Sequence, residues 1–258
     1  MILRRVREHV SQHDWFAVAI DLAIVVLGVF LAMQVNNWNE ARVERAASAD
    51  YRQQIVEDLD SNVTDIAGRK AYYLAVRRHA LAALAAIENP SLPRGEPFLV
   101  DAYQASQVWL RPLTRTGYDE MVGAGLSNLI GNRQARSRLT AYYTQIRQFD
   151  ITALGMTSYR ERLRRAMPYE VQSAIQQKCG DRVTTISGGA QMAALPDRCL
   201  LGLDAATISL AVSRVEEANL KEDLTRHIAD IDQKLAGFER FSRLAHGNQL
   251  LLEAQDRE

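Results

Sequence analysis

The sequence predicts an all-α protein, in which an N-terminal transmembrane helix is followed by an extracytoplasmic bundle of long helices with short-helix insertions. Three observations support this fold class. An apolar segment near the N-terminus is long enough to cross a bilayer. Only 14 glycines and 6 prolines occur in 258 residues, so long stretches lack helix-breaking residues. Apolar residues recur at intervals of three and four, whereas strand-like alternation is scarce, with 183–186 as its nearest candidate.

The transmembrane helix is expected over residues 15–37. The segment that starts at Trp15 reads WFAVAIDLAIVVLGVFLAMQV. As a helix it would extend roughly 31 Å, the thickness of a bilayer's hydrocarbon core. Trp15 and Trp38 stand at its two ends, at the depths of the interfacial aromatic belts. The unbroken apolar run 22–33 would also suit a buried core helix or a signal peptide, but its aromatic flanks and added length favour the membrane span.

The orientation of this span is predicted from weaker signals. Arginines occur on both sides of it, at positions 4, 5 and 7 and at positions 42, 45 and 52, so their distribution decides little. Residues 1–14 are interpreted as a short cytoplasmic N-terminus and 38–258 as a helical extracytoplasmic domain. The two cysteines favour the same orientation.

Cys179 and Cys199 are the only cysteines of the chain. A disulfide between them would close a loop of about 20 residues and contribute on the order of 3 kcal/mol in an oxidising compartment. The alternative is a pair of unrelated buried thiols. The chain has no C-x-x-C and no histidine between the two cysteines, so a zinc site is not expected.

The helices of the domain follow from apolar spacing and from helix breakers. The transmembrane helix is expected to continue into a helix over 50–88, which Asn89 and Pro90 end. Thr114 or Thr116 could cap a short helix, and Asn132 could cap a long one. The remaining predicted helices cover 98–110, 117–122, 133–167, 168–178 and 204–252.

The last of these helices has an apolar seam that repeats at intervals of three and four residues. Its members are Leu220, Leu224, Ile228, Ile231, Leu235 and Phe238. This spacing is close to that of a heptad, so the seam could form a dimeric coiled coil. Packing inside the same domain, against the helices 50–88 and 133–167, is the favoured interpretation because those helices carry matching stripes.

Asp21 is the one ionisable residue of the membrane segment, where charged side chains are costly. It could contact a polar group on another membrane helix, or it could reach lipid headgroups, water or a nearby arginine near the interface. Gly28 and Ala32 would allow close approach of a second helix. A homo-oligomer or a membrane protein partner is therefore a candidate.

No catalytic, cofactor-binding or metal-binding residues are expected, and no cofactor. His9 and His13 have the spacing of helical metal ligands but lack a third ligand. Gly123-Ala124-Gly125 lacks the third glycine and the preceding strand of a dinucleotide-binding loop. Lys plus Arg and Asp plus Glu each number 31, so no basic excess indicates nucleic acid as a partner.

Two segments carry a resemblance to a known family. Residues 25–40 read VVLGVFLAMQVNNWNE, and 116–143 have the pattern T-x-Y…G-L…I…L…YY. The chain resembles an uncharacterised family of bacterial single-span membrane proteins, classed as a domain of unknown function. An acidic residue early in the span is similar to that family too. The resemblance implies a bacterial envelope location and a helical domain, and it implies no activity.

These observations predict a membrane-anchored helical interaction or scaffold protein of the bacterial inner membrane, with its C-terminal domain in the periplasm. Its partners would be the lipid bilayer and a second copy or another membrane protein. Tyrosine-rich helices would supply packing and a partner surface; the tyrosines are Tyr72, Tyr73, Tyr142, Tyr143 and Tyr159. The alternative is a periplasmic ligand-sensing bundle that signals through a membrane partner. An envelope enzyme would need a polar cleft with convergent titratable groups.

Overall fold

The computed structural model describes residues 15–109, 111–153, 157–185, 191–196 and 199–255. Within these ranges lie eight α-helices, a 3₁₀ turn at Ser127–Ile130 and one antiparallel β-hairpin. The helices are α1 (Trp15–Glu88), α2 (Glu96–Ala105), α3 (Thr116–Gly123), α4 (Arg133–Ala153), α5 (Ser158–Ala166), α6 (Tyr169–Cys179), α7 (Ala205–Glu217) and α8 (Lys221–Gln255). The strands are β1 (Arg182–Thr185) and β2 (Gln191–Ala194).

Helix α1 is continuous over 74 residues, so the predicted continuation of the apolar segment into the helix 50–88 is confirmed. The chain divides into two compact units, Met1–Tyr51 and Arg52–Glu258, and α1 contributes to both. In the first unit α1 is long and apolar enough to cross a bilayer. None of its most apolar window is buried within the described chain, unlike the core helix of a soluble protein.

In the second unit α1 and α8 pack side by side and antiparallel. Three ion pairs join them: Lys70 Nζ to Glu239 Oε1 at 2.8 Å, Arg77 Nε to Asp232 Oδ1 at 2.5 Å, and Lys221 Nζ to Glu88 Oε1 at 3.0 Å. The partner's residue number falls on α8 as the number rises on α1, which gives the antiparallel direction. The pairs lie at the surface and contribute little energy, but they show the register of the two helices.

The apolar seam of α8 is buried inside this unit. Leu224 and Ile231 have no solvent exposure, and the rings of Phe238 and Tyr73 have centroids 5.7 Å apart. Helix α4 also packs on α8. This burial agrees with packing inside the domain, the interpretation that the matching stripes favour.

The prediction of one helix over 133–167 is wrong. Helix α4 ends at Ala153, and Thr157 has an extended backbone, with φ −97° and ψ 149°. The Thr157 side chain accepts a hydrogen bond from the backbone N–H of Arg160 and so caps α5. A side-chain oxygen at this position accepts from one of the backbone N–H groups that lack a helical acceptor, and so stabilises the start of a new helix.

The prediction of one helix over 204–252 is also wrong, because 218–220 separate α7 from α8. Asn219 adopts φ 48°, in the left-handed region that asparagine tolerates better than most residues. The start of α7 agrees with the predicted position, and the Asp204 carboxylate accepts from the N–H groups of Ala206 and Thr207 at 3.0 and 2.9 Å.

The β-hairpin is the one departure from an all-helical chain within the described residues. It pairs Arg182 with Ala194 and Thr185 with Gln191, so β1 lies one residue earlier than the candidate strand 183–186. The hairpin lies between the two cysteines of the sequence. The Met192 side chain contacts α1 at Gly68. A Cβ added to Gly68 would lie 3.4 Å from the Met192 Cγ.

Two of the predicted caps have different outcomes. The Oδ1 of Asn132 accepts from the N–H of Ala135 at 3.0 Å, so the cap of α4 is confirmed. The cap predicted at Thr114 or Thr116 is wrong, because Arg115 occupies the N-cap of α3 and makes no side-chain cap bond. The predicted helix 98–110 is shorter than expected and ends at Ala105.

Candidate functional site

The segment 106–115, here called the strap, connects α2 to α3 and has no regular helix or strand at its described residues 106–109 and 111–115. It runs along α1 in the opposite direction. Its backbone polar groups therefore need partners other than those of a helix or sheet. Side chains of α1 supply them.

Four side chains on one face of α1 contact the strap and the start of α3. Tyr73 Oη accepts from the N–H of Trp109 at 3.3 Å, and Arg69 donates to the carbonyl of Arg111. Asn62 forms two bonds with the backbone of Thr114, each of 2.7 Å. Asp58 Oδ2 accepts from the N–H of Gly117 at 2.8 Å. The strap is thus held by a row of polar side chains rather than by a sheet.

A buried acidic side chain lies in the middle of this row. Asp65 is 2% exposed, and neither of its carboxylate oxygens has a hydrogen-bond partner among the described residues. The nearest cation is the Arg111 guanidinium of the strap, with Nε 3.8 Å from Asp65 Oδ2. Burial raises the pKa of Asp65, and the positive charges of Arg111 and Arg69 oppose that rise.

The pKa of Asp58 is set by a similar balance of opposing effects. Burial raises the pKa of its carboxyl group, while the backbone N–H groups of Gly117 and Tyr118 lower it. Beside it, the rings of Tyr118 and Tyr143 stack with centroids 4.2 Å apart. The Tyr142 ring meets that of Tyr143 edge-on at 5.0 Å. Stacked and edge-on aromatic rings therefore pack beside the end of the strap that leads into α3.

At its other end the strap contacts α5. Arg160 donates to the carbonyl of Ser106, and Arg164 Nε donates to the Ser106 hydroxyl at 3.1 Å. The Arg164 guanidinium lies over the Tyr103 ring, 3.4 Å from its centroid, and burial lowers its pKa. Nearby, Tyr72 donates its hydroxyl proton to the Asp181 carboxylate at 3.1 Å.

The disulfide Cys179–Cys199 joins the end of α6 to the segment that precedes α7, with Cα atoms 5.8 Å apart. Two further contacts fix the same segment at Leu201. Its N–H donates to Glu96 Oε1 at 2.6 Å, and its carbonyl accepts from Lys178. The disulfide therefore closes the loop that contains the β-hairpin and ties it to α2 and α6.

A cavity of about 200 Å³ lies between the N-terminus of α5 and the first turns of α8. Its lining residues are Thr157, Ser158, Asp223, Arg226, His227 and Asp230. All six side chains are polar. In this respect the cavity differs from most ligand pockets, whose walls are largely apolar. This cavity is the candidate ligand site of the described chain.

His227 is the buried member of the cavity wall, with 2% exposure. Its Nε2 lies 2.8 Å from the carbonyl oxygen of Ala105, which can only accept, so Nε2 carries the proton. Burial lowers the pKa of His227, which keeps the ring neutral and leaves Nδ1 as an acceptor. Nδ1 has no hydrogen-bond partner within the described residues, and the Tyr159 ring stacks on the imidazole at 5.3 Å.

The structure separates the residues that the sequence singles out. Trp15, Asp21 and Trp38 are all exposed on α1 in the first unit, and Trp15 and Trp38 are 77% and 62% exposed. Cys179 and Cys199 come together in the second unit. Residues 1–14, with His9 and His13, lie outside the described residues. In the described part of the chain no group of three or more His, Cys, Asp or Glu side chains could hold a metal ion.

The tyrosine side chains supply packing, as expected, but the expectation that they also supply a partner surface is wrong. None of the five tyrosines is more than 2% exposed, so all of them pack in the core. The row that holds the strap was not predicted as a site. A signal for it exists in the sequence, since Asp58, Asn62, Asp65 and Arg69 interrupt the apolar stripe of the helix 50–88 at intervals of three and four.

Comparison with known proteins adds no relative: no family model, curated protein or solved structure matches this chain. The fold defines the chain as a helical protein, in which one long apolar N-terminal helix continues into a helical domain.

Proposed function

We propose that this chain is a single-pass protein of the bacterial inner membrane whose helical domain faces the periplasm and serves as an interaction or scaffold module. The observation that carries the proposal is the contrast within α1. Its apolar N-terminal part is exposed, with Leu27 and Phe30 at 57% and 55%, while Ile55 and Leu59 further along are completely buried. Exposed apolar surface of this extent needs a lipid or protein environment.

The disulfide supports the periplasmic orientation. Disulfides persist in oxidising compartments such as the periplasm and are rare in the cytosol. Cys179 and Cys199 are joined in the folded domain, which is the arrangement expected of a domain exported across the inner membrane. The resemblance of residues 25–40 to bacterial single-span proteins points to the same location.

Membrane anchoring is tested by expressing the full chain in a bacterium and extracting the membranes with alkaline carbonate. The wild-type chain should stay in the pellet. Leu27→Arg places a charge in the middle of the apolar segment at a cost of about 2.5–3.5 kcal/mol and should release a large fraction. Val43→Arg, at an exposed position beyond that segment, is the matched control and should behave as wild type. A soluble wild-type chain would refute the proposal.

Orientation is tested with a thiol reagent that does not cross the inner membrane, applied to spheroplasts with and without prior reduction. In the proposed orientation Cys199, which is partly exposed, reacts after reduction and not before. Thiols that react in unreduced, lysed cells and stay unlabelled in reduced spheroplasts would place the domain in the cytoplasm.

The scaffold role needs an outward surface, and α1 supplies one in the second unit. Leu74 and Leu81 are 47% and 41% exposed and lie seven residues apart on one side of the helix. A photo-crosslinking residue at either position should capture a specific neighbour in intact cells. Asp60, exposed on the same helix, is the control position. Equal or absent crosslinking at all three positions would remove the support for a partner on this surface.

A ligand-sensing bundle is the second candidate function. The observation that favours it is the polar cavity between α5 and α8, with the buried side chain of His227 among its lining residues. A sensor of this kind would pass its signal through α1 to a membrane partner. Ligand-dependent crosslinking between copies at Gly28 would support it, and crosslinking that no ligand changes would count against it.

A further inference from the structure

We propose that residues 122–126, here called the tip, dock on an anionic lipid bilayer together with the arginines at the start of α4. The tip consists of the last residues of α3 and the turn that follows them. Docking rests on the membrane anchoring proposed above, because the anchor keeps the second unit close to lipid. It adds a second, reversible contact between the chain and the bilayer.

The tip is an apolar segment with open surroundings. Its sequence, Val-Gly-Ala-Gly-Leu, has no charged or polar side chain. Val122 is 45% exposed, and a Cβ added to Gly123 or Gly125 would meet nothing within 4 Å. Gly125 adopts φ 73°, a conformation that glycine allows at no steric cost and that turns the chain at this point. An exposed apolar turn of this kind can enter a bilayer surface without disturbing packed side chains.

The chain that follows the tip is basic. Residues 121–149 include four arginines and no aspartate or glutamate. Arg133 and Arg138, at the start of α4, are exposed. Arg136 donates to the carbonyl oxygen of Gly131 at 2.6 Å, an acceptor that does not neutralise its charge. An apolar turn followed by several cations matches a surface that has an apolar interior and anionic headgroups.

Carboxylates on α3 do not cancel this positive charge. Asp119 is already paired with Arg115, with 2.5 Å between Oδ1 and Nη2. Glu120 is the other carboxylate of α3 and is exposed. One free carboxylate thus stands against three arginines at the start of α4. Each arginine close to an anionic bilayer favours binding by about fivefold.

The tip and the start of α4 lie toward the end of the second unit where α1 enters it at Arg52. Gly117, at the start of α3, packs on Gln54 of α1. Helix α4 packs on α8, and Thr157, just beyond its end, lies beside Asp223 at the start of α8. The start of α4 is therefore directed toward the C-terminal end of α8. Because α8 is antiparallel to α1, this is also the direction of Arg52.

The length of the connection to the apolar segment makes a weak contact sufficient. Residues 39–51 separate Trp38 from Arg52 and are helical, so they extend over about 20 Å. A tether this short keeps the second unit at a high effective concentration near the bilayer. Headgroup contacts too weak to hold a soluble protein on a membrane then suffice.

The test places an environment-sensitive dye on the tip of the full chain, reconstituted in vesicles of equal parts phosphatidylglycerol and phosphatidylcholine. Val122→Cys is labelled without reductant, so Cys179 and Cys199, which are joined in a disulfide, do not react. Dye emission should move to shorter wavelength and be quenched by lipid-borne nitroxides. Both effects should weaken in phosphatidylcholine alone and at about 1 M salt. Both leaflets have the same composition, so either direction of insertion gives the same result.

A second tip position and a distant position complete the labelling experiment. Ala124→Cys is also exposed and should respond as Val122→Cys does, which keeps the test valid if one variant misfolds. Leu210→Cys is the matched control, because Leu210 is 53% exposed and lies on α7. Glu216 of α7 pairs with Arg94, just beyond the opposite end of α1. A dye at position 210 should stay unquenched.

The arginines are tested by charge removal. Arg133→Gln combined with Arg138→Gln should weaken docking of the labelled tip by about twentyfold. Arg214→Gln combined with Arg226→Gln removes two exposed arginines of α7 and α8 and should leave it within about twofold. Equal effects of the two double variants would overturn the proposal.

The labelling results separate docking from anchoring. Quenching that is absent at the tip, equal at positions 122 and 210, or as strong in phosphatidylcholine alone would overturn docking while the chain remains inserted. A shift of tip emission without quenching by lipid would indicate a protein contact, such as a second copy, and would also overturn it. A chain that does not insert into vesicles would refute the membrane anchor and, with it, the docking.

Discussion

Asn62 of α1 pairs with the backbone of Thr114 as one strand pairs with another. Its Nδ2 donates to the Thr114 carbonyl and its Oδ1 accepts from the Thr114 N–H, both at 2.7 Å. Asn62 has no solvent exposure. One amide side chain thus satisfies both polar groups of a strap residue that has no sheet or helix partner. The stability of the strap depends on such contacts.

Replacing Asn62 tests this dependence. Asn62→Leu keeps most of the volume but leaves the half-buried N–H and carbonyl of Thr114 without the partner that Asn62 supplies. We expect it to lower the free energy of unfolding by about 2–5 kcal/mol. Gln53→Leu, which removes only an exposed contact to Glu57, should change it by less than about 0.5 kcal/mol. Urea unfolding of the full chain in detergent, followed by circular dichroism, measures both. Equal effects of the two variants would contradict the prediction.

Asp58 should make the stability depend on pH. Burial raises its pKa above 3.8 in the folded state, so the folded state holds the proton more tightly than the unfolded state. The contribution of this group to stability is therefore complete below pH 3.8 and is lost as the pH rises through the folded-state pKa. Asp58→Asn cannot ionise and keeps an acceptor for Gly117. We expect it to be more stable than wild type at neutral pH, with a difference that disappears on acidification.

The contrasting variant is Asp58→Ala. It removes the acceptor of the Gly117 N–H and should destabilise the domain by about 1–3 kcal/mol at neutral pH. Asp60→Asn, at an exposed neighbouring position, is the control for the loss of a charge. Unfolding curves between neutral pH and about pH 3 measure all three variants. An Asp58→Asn variant less stable than wild type at neutral pH would show that the ionised carboxylate is favourable where it lies.

The disulfide should account for a large share of the domain's stability. The two cysteines are 20 residues apart, and closing a loop of this length contributes roughly 3 kcal/mol by restricting the unfolded chain. We expect Cys179→Ser with Cys199→Ser to lower the free energy of unfolding by about this amount. A reductant should destabilise wild type similarly and leave the double variant unchanged. A wild-type chain whose unfolding midpoint ignores the reductant would contradict the prediction.

Two glycines of α3 should respond in opposite directions to the same substitution. A Cβ on Gly117 would lie 3.0 Å from Gln54 Cβ and 3.1 Å from the Gln54 carbonyl carbon of α1. Gly117→Ala should therefore destabilise by about 1–3 kcal/mol. A Cβ on Gly123 would meet nothing within 4 Å, so Gly123→Ala should stabilise by up to about 1 kcal/mol. Thermal unfolding compares the two; a destabilised Gly123→Ala would contradict the reasoning.

The features predicted correctly from the sequence are those that neighbouring residues decide. The helix 50–88 and its end before Asn89 follow from apolar spacing and from Pro90, because helical hydrogen bonds join residues four apart. The cap at Asn132 is local in the same way. The apolar segment that starts at Trp15 is visible from composition alone.

The helix breaks at Thr157 and Asn219 show the opposite case. Neither residue forbids a helix, and both interrupt runs with continuous apolar spacing. The breaks are stable because they allow tertiary contacts. The break at Thr157 lets α5 contact the strap through Arg160, and the break at Asn219 lets α8 lie antiparallel to α1. Local pattern carries no information about contacts of that sequence separation.

Apolar spacing and composition, which act over a few residues, are enough to predict a helical chain with one long apolar N-terminal helix and a buried stripe on each long helix. They do not predict that Asn62 binds the strap 52 residues away or that Asp58 binds the start of α3 59 residues away; these contacts appear only in the folded structure. It alone decided that His227, an isolated histidine in the sequence, lines a polar cavity with Arg226 and Asp230. Such pairings depend on how helices pack, and packing joins residues that no short-range pattern connects.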